Sequence, residues 1–169
     1  MKVKLADIEV AYSVQGEGTP VVLIHGLAEG KESWSGIQER LSEFKTFSYD
    51  LRGHGESTLG KGEGTLEQLG GDLIAFLEKV SGPAQCVGYS LGGTIVIWAA
   101  AKRPNLFSAA VVTGTSTVVG QQAVEFFEER IKIIEEDFSD FAPALLKDTA
   151  LQIVNSGVDL EAVVANRLE

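Results

Sequence analysis

Val21, Val22, Leu23 and Ile24 form an uninterrupted apolar run, closed off by Pro20 on one side and by His25-Gly26 on the other. A strand with one face in water alternates apolar and polar side chains. A run without alternation, bounded by breakers, reads as a strand covered on both faces, and such strands belong to parallel sheets. Parallel strands need crossover connections, so the rest of the chain has to supply helices between strands. Trp34, Ile37, Leu41 and Phe44 fall on one face of a helix capped by Ser33. Leu66, Leu69, Leu73, Phe76, Leu77 and Val80 line a second helix, despite Gly70 and Gly71. "LGGTIVIWAAAKRP" is apolar nearly all round and reads as a third, packed deep and stopped by Pro104. Between them, residues 46–49, 85–87 and 107–113 read as strands, the last also buried. Residues 3–14 alternate as two short antiparallel strands would, turning near Ala6-Asp7. The fold class is therefore α/β, a mostly parallel sheet with right-handed crossovers and helices on both faces.

The strand–helix alternation ends near Gly114. Beyond it Phe127, Ile131, Ile134 and Phe138 share one helical stripe, and "ALLKDTALQIV" and "DLEAVVANRL" are amphipathic, with no further strand pattern. The chain thus divides into an α/β part, 1–118, and a helical part, 119–169. With 169 residues, 44% of them hydrophobic, it can bury one core of ordinary size. Acidic residues outnumber basic ones 24 to 14, for a formal net charge of -10, and the few Lys and Arg form no stripe. That balance argues against nucleic acid and anionic membranes as partners. No apolar run reaches the length of a membrane span, and "MKVKLADIEVAYSVQGEG" lacks the apolar stretch of a signal peptide, so the expectation is a soluble, cytoplasmic protein. Cys86 lies in an apolar strand and reads as a small buried hydrophobe. Without a CxxC or Cys/His grouping, neither a metal nor a cofactor is expected.

Chemistry gathers at "CVGYSLGG", residues 86–93. A serine between Gly88 and Gly92, with a buried strand before it and an apolar helix after it, sits in a strained turn; the glycines are needed because Cβ atoms there would collide with the adjoining strand and helix. "HG" at 25–26 ends the first buried strand and "DLRGHGES" at 50–57 follows the next. With these three motifs in this order and spacing, the chain resembles the α/β-hydrolase family from Met1 to about Thr113, and then the start of a helical cap inserted after the sixth strand. The resemblance implies that Ser90 is the nucleophile and that the backbone N–H groups of Leu27 and Leu91 form the oxyanion hole. It implies support of the surrounding loops for His25, Gly26, Gly88, Gly92, Asp50 and Arg52, with Asp50 and Arg52 paired to each other, and a structural role for His54 beside them. Haloalkane dehalogenases and epoxide hydrolases place aspartate at the elbow, and dienelactone hydrolases cysteine. Serine narrows the resemblance to esterases, lactonases, carbon–carbon bond hydrolases and perhydrolases. Leu91, where proline iminopeptidases usually carry tryptophan, argues against a peptidase. The implied substrate is a small carboxylic ester or lactone.

In that family the acid and the histidine of the triad follow the serine. Here His25 and His54 both precede Ser90, and Asp137, Asp140, Asp148 and Asp159 read as solvated positions of the helical segment. "DLEAVVANRLE" also stops in mid-pattern. The expectation is the N-terminal part of a longer hydrolase (truncated, proteolysed, or one chain of a split enzyme) without the last two core strands. Such a chain would be inactive or very weak alone, and a complementing C-terminal chain could complete it. The strand at 107–113 would become an edge, inviting self-association through it or through the apolar face of the cap helices. The alternative is a non-catalytic binding scaffold, or a fragment whose only property is assembly.

Overall fold

The computed structural model describes residues 1–118 and 120–149, together with 159, 161, 162 and 165. Six strands, β1 (Lys2–Leu5), β2 (Ile8–Gln15), β3 (Thr19–Ile24), β4 (Phe44–Tyr49), β5 (Ala84–Tyr89) and β6 (Phe107–Thr113), form one sheet in the order β1-β2-β4-β3-β5-β6. The β1–β2 and β2–β4 pairings are antiparallel, and β4–β3, β3–β5 and β5–β6 are parallel. This is the mostly parallel sheet that the run at 21–24 demands. Val22 and Ile24 enter the main core, while Val21 and Leu23 on the other face are buried as well. Both faces of β3 are covered, which is why its sequence does not alternate.

One face of the sheet is covered by α2 (Leu66–Phe76) and α3 (Leu91–Lys102). Thr65 and Gln68 open α2 with a reciprocal capping box, and a π-helical turn, Leu77–Ser81, continues it. Phe76 is the hub of this core: its ring stacks on Tyr49 at 4.8 Å and meets Tyr12 edge-on at 5.5 Å. Gly70 belongs in α2 because Trp98 of α3 fills the space a Cβ would take, with Cζ3 2.7 Å from that point. The helix propensity lost there is offset by close approach of the two helices.

The opposite face carries a 3-10 turn, Lys31–Trp34, and the short α1 (Ser35–Arg40). Here the expected stripe is corrected. Ile37 is exposed, Phe44 is the first residue of β4, and the buried residue of α1 is Gln38. The reason is polar. On this face β4 presents Thr46 and Ser48, both buried, and Gln38 donates to Thr46 Oγ1 at 3.1 Å while its Oε1 accepts from Ser13 at 3.0 Å. The two hydroxyls also donate, Thr46 to the Gln15 carbonyl at 3.2 Å and Ser48 to the Lys31 carbonyl at 2.9 Å, so this face of the sheet is packed through polar contacts.

β6 is also corrected: it is not buried. Every residue from Ser108 to Thr113 is exposed, Val111 by 57%, because among the described residues no strand pairs with its far side.

The chain falls into two compact units, Met1–Ser116 and Thr117–Glu169. In the second, α4 (Gln121–Glu136) packs on α5 (Phe138–Thr149). The expected stripe of Phe127, Ile131, Ile134 and Phe138 is exposed, while Phe141 is buried and stacks on Phe138. Asp137 accepts the N–H and hydroxyl of Ser139 at the start of α5, and Asp159 accepts the N–H groups of Glu161 and Ala162. Residues 150–154 of "ALLKDTALQIV" and most of "DLEAVVANRL" lie outside the described residues. Among the described residues, no helix is long and apolar enough to cross a membrane.

Candidate active site

β3 and β5 are neighbours in register, with Ile24 opposite Gly88, so the loops that leave their C-terminal ends meet. Ser90 stands at the turn from β5 into α3 with φ 51 and ψ -118, a conformation an L-residue adopts only under constraint. The constraints are visible. Its N–H donates to the Thr113 carbonyl at 2.9 Å, and its own carbonyl accepts from Gly93 N at 3.0 Å, Thr94 N at 3.3 Å and the Thr115 hydroxyl at 2.6 Å. A Cβ on Gly88 would overlap the Gly92 carbonyl, and one on Gly92 would overlap the Ile24 carbonyl and lie 2.6 Å from that of His25. The first turn of α3 therefore presses on the ends of both strands, and only glycine fits at either flank of the serine. The sequence did not point to Thr115; one hydroxyl residue after a strand has no pattern of its own.

The loop after β3 runs beside this serine. The point where a Gly26 Cβ would sit is 3.3 Å from Ser90 Cβ, 3.2 Å from the Tyr89 ring and 3.4 Å from Glu29 Oε2. Gly26 N–H donates to Glu29 Oε2 at 3.1 Å, and Ala28 N–H donates to His54 Nε2 at 3.3 Å. Between them, Leu27 N–H finds no protein acceptor among the described residues, and neither does Leu91 N–H, which as the first amide of α3 has no partner within the helix. Two amides near the elbow are thus without a protein acceptor among the described residues, Leu27 in the loop after β3, next to Gly26, and Leu91 at the start of α3.

His25 is fully buried; its Nε2 accepts from Leu51 N–H at 2.9 Å, so Nδ1 carries the proton and donates to the Gly26 carbonyl at 2.7 Å. Burial lowers its pKa to about 4, with the adjacent His54 acting in the same direction, so the ring is neutral at pH 7. Cys86 is buried in β5, and burial pushes its thiol up to about 12, far from a reactive thiolate.

Asp50 and Arg52 do not pair with each other, contrary to expectation. β4 ends at Tyr49, a turn begins at Arg52, and the two side chains take different partners. Asp50 turns to the loop after β3, accepting from Lys31 N at 2.7 Å, Lys31 Nζ at 3.0 Å and Glu56 N at 3.1 Å. Burial works against the charge on Lys31, but its bonds to Asp50 and Glu56 outweigh that and raise its pKa. Arg52 turns the other way and makes bidentate pairs, with Asp7 at 3.0 and 3.0 Å and with Asp72 of α2 at 2.9 and 2.9 Å. Burial raises the Asp72 pKa against the pull of Arg52, whereas the Arg52 hydrogen bonds hold Asp7 well below the usual carboxylate range. Among the described residues, no group of three or more His, Cys, Asp and Glu could hold a metal ion.

A turn of this kind, at the end of a parallel strand and opening a helix, defines a class of α/β proteins that present a serine above the sheet. Residues 19–155 match the family of the alpha/beta hydrolase fold, and the chain belongs to that family. It is similar to 3-oxoadipate enol-lactonase 2 of Acinetobacter baylyi, 28% identical over 77% of this chain and 49% of that protein. It is also similar to the pimeloyl-[acyl-carrier protein] methyl ester esterase of Methylococcus capsulatus, 34% identical over 81% of this chain and 54% of that protein. Among solved structures, a hydrolase from Pseudomonas aeruginosa superposes with a TM-score of 0.84 at 25% identity, covering 99% of this chain and 66% of that one. The chain spans about half the length of these curated relatives.

Proposed function

We propose that this chain carries the nucleophile half of a serine hydrolase acting on a small carboxylic ester or lactone. One observation carries the reading: Ser90 is held at φ 51 in a glycine-walled elbow, and the amides of Leu91, next to it, and of Leu27, next to Gly26, have no protein acceptor among the described residues. Ser90 Oγ attacks the carbonyl carbon and gives up its proton to a base; the carbonyl oxygen takes the negative charge and is held by the two N–H groups. Collapse expels the alcohol oxygen, which takes that proton back, and water releases the acid from the serine in the same way. The relatives' names, an enol-lactonase and a methyl ester esterase, support the substrate class.

The base is the part that the described residues do not offer. Both nitrogens of His25 are engaged, and those of His54 face Ala28 N–H and the Arg52 carbonyl. In this reading the acid and histidine are supplied from outside these 169 residues, by the rest of a longer hydrolase or by a complementing C-terminal chain. The commitment of both histidines favours a second reading for the 169 residues alone, a non-catalytic binding scaffold.

A fluorophosphonate probe tests this. Labelling of Ser90 should be slow or absent for the chain alone, become rapid when a C-terminal α/β-hydrolase fragment carrying the acid and histidine is added, and vanish in Ser90→Ala. Labelling that survives Ser90→Ala, or that no such fragment accelerates, would overturn the proposal.

A further inference from the structure

We infer that His54 is a positioning residue for the Leu27 amide, holding the peptide on its C-terminal side by accepting the Ala28 N–H while Glu29 holds the peptide on its N-terminal side. The inference rests on the reading of Leu27 as an oxyanion donor. Three consecutive amides make the case. Those of Gly26 and Ala28 are each taken up by a side chain, and the one between them is left free. Ala28 has φ 57, a left-handed conformation that alanine holds only under constraint. His54 provides that constraint from the "DLRGHGES" loop. Because Ala28 N–H is a donor, Nε2 must be the acceptor at 3.3 Å; Nδ1 then carries the proton and donates to the Arg52 carbonyl at 3.1 Å. Arg52 is itself fixed on two carboxylates, so the anchor behind the ring is rigid. A line of contacts runs from Asp7 and Asp72 through Arg52 and His54 to the peptide next to Leu27.

The test is amide hydrogen exchange, followed by NMR on the ¹⁵N-labelled 169-residue chain. The Ala28 amide should be protected in the unsubstituted chain. In His54→Gln, whose side-chain oxygen can still accept, slow exchange at Ala28 should be kept. In His54→Phe, Ala28 should exchange about tenfold faster with β3 amides unchanged. An Ala28 amide that is unprotected in the unsubstituted chain, or that exchanges at an unchanged rate in a folded His54→Phe, would overturn the inference. If no fragment brings on Ser90 labelling while Ala28 is protected through His54, the hydrolase reading falls and the brace stands; an unprotected Ala28 with labelling intact gives the reverse.

Discussion

A backbone conformation that one serine must hold sets demands on residues that never touch a substrate. Ser90 stays at φ 51 only because Gly88 and Gly92 let the first turn of α3 lie against the ends of β5 and β3. Gly92→Ala should therefore lower unfolding stability by about 1 to 3 kcal/mol, measured in urea, because the Cβ would meet backbone that has no room to move. Gly26→Ala, whose Cβ would come no nearer than 3.2 Å to its neighbours, should cost less. His25 makes a pH prediction. Its folded pKa, about 4, lies below the ordinary 6.5, so the unfolded chain binds more protons between those values. This contribution is complete above pH 6.5 and is lost as pH falls from 6.5 toward 4, on the order of 3 kcal/mol in all. Urea midpoints should fall across that window and fall less in His25→Gln.

Between elements, the decisive contact is Arg52, which ties the β1–β2 turn and α2 to the loop after β4. Arg52→Ala leaves Asp72 buried without its partner and should cost about 3 kcal/mol or more in urea unfolding, while Arg52→Met combined with Asp72→Leu should recover most of the loss. A loss below about 1 kcal/mol in the single variant would contradict the clamp. Asp7 adds an acid dependence: with its folded pKa lowered, its contribution is present above its unfolded pKa of 3.8 and disappears as pH falls below it. How much of this was legible follows from which signals are local. The elbow, the strands and α2 announce themselves through runs, spacing and glycines. The partners of Asp50 and Arg52 do not, since residues two apart in a motif look paired until the chain turns between them. Gln38 was equally hidden, because its burial depends on Thr46 and Ser48 across the sheet rather than on anything in α1.

For the molecule as a whole, β6 is an exposed outer strand of the sheet among the described residues. Its residues are exposed, including Val111 and Val112, and its outer edge has unpaired backbone groups among the described residues. Sedimentation at micromolar concentration should show self-association that Val111→Lys reduces; a monomer at those concentrations would count against an edge-mediated contact. The strand order holds a different consequence, for synthesis rather than for solution. β2 and β3 are consecutive in the chain but are kept apart by β4, which is inserted between them. While the chain emerges from the ribosome, only the β1–β2 hairpin can pair. β3 waits for β4 on one side and for β5, much later in the chain, on the other. The nascent chain must carry its most apolar strand unpaired through that interval, when chaperone protection matters most.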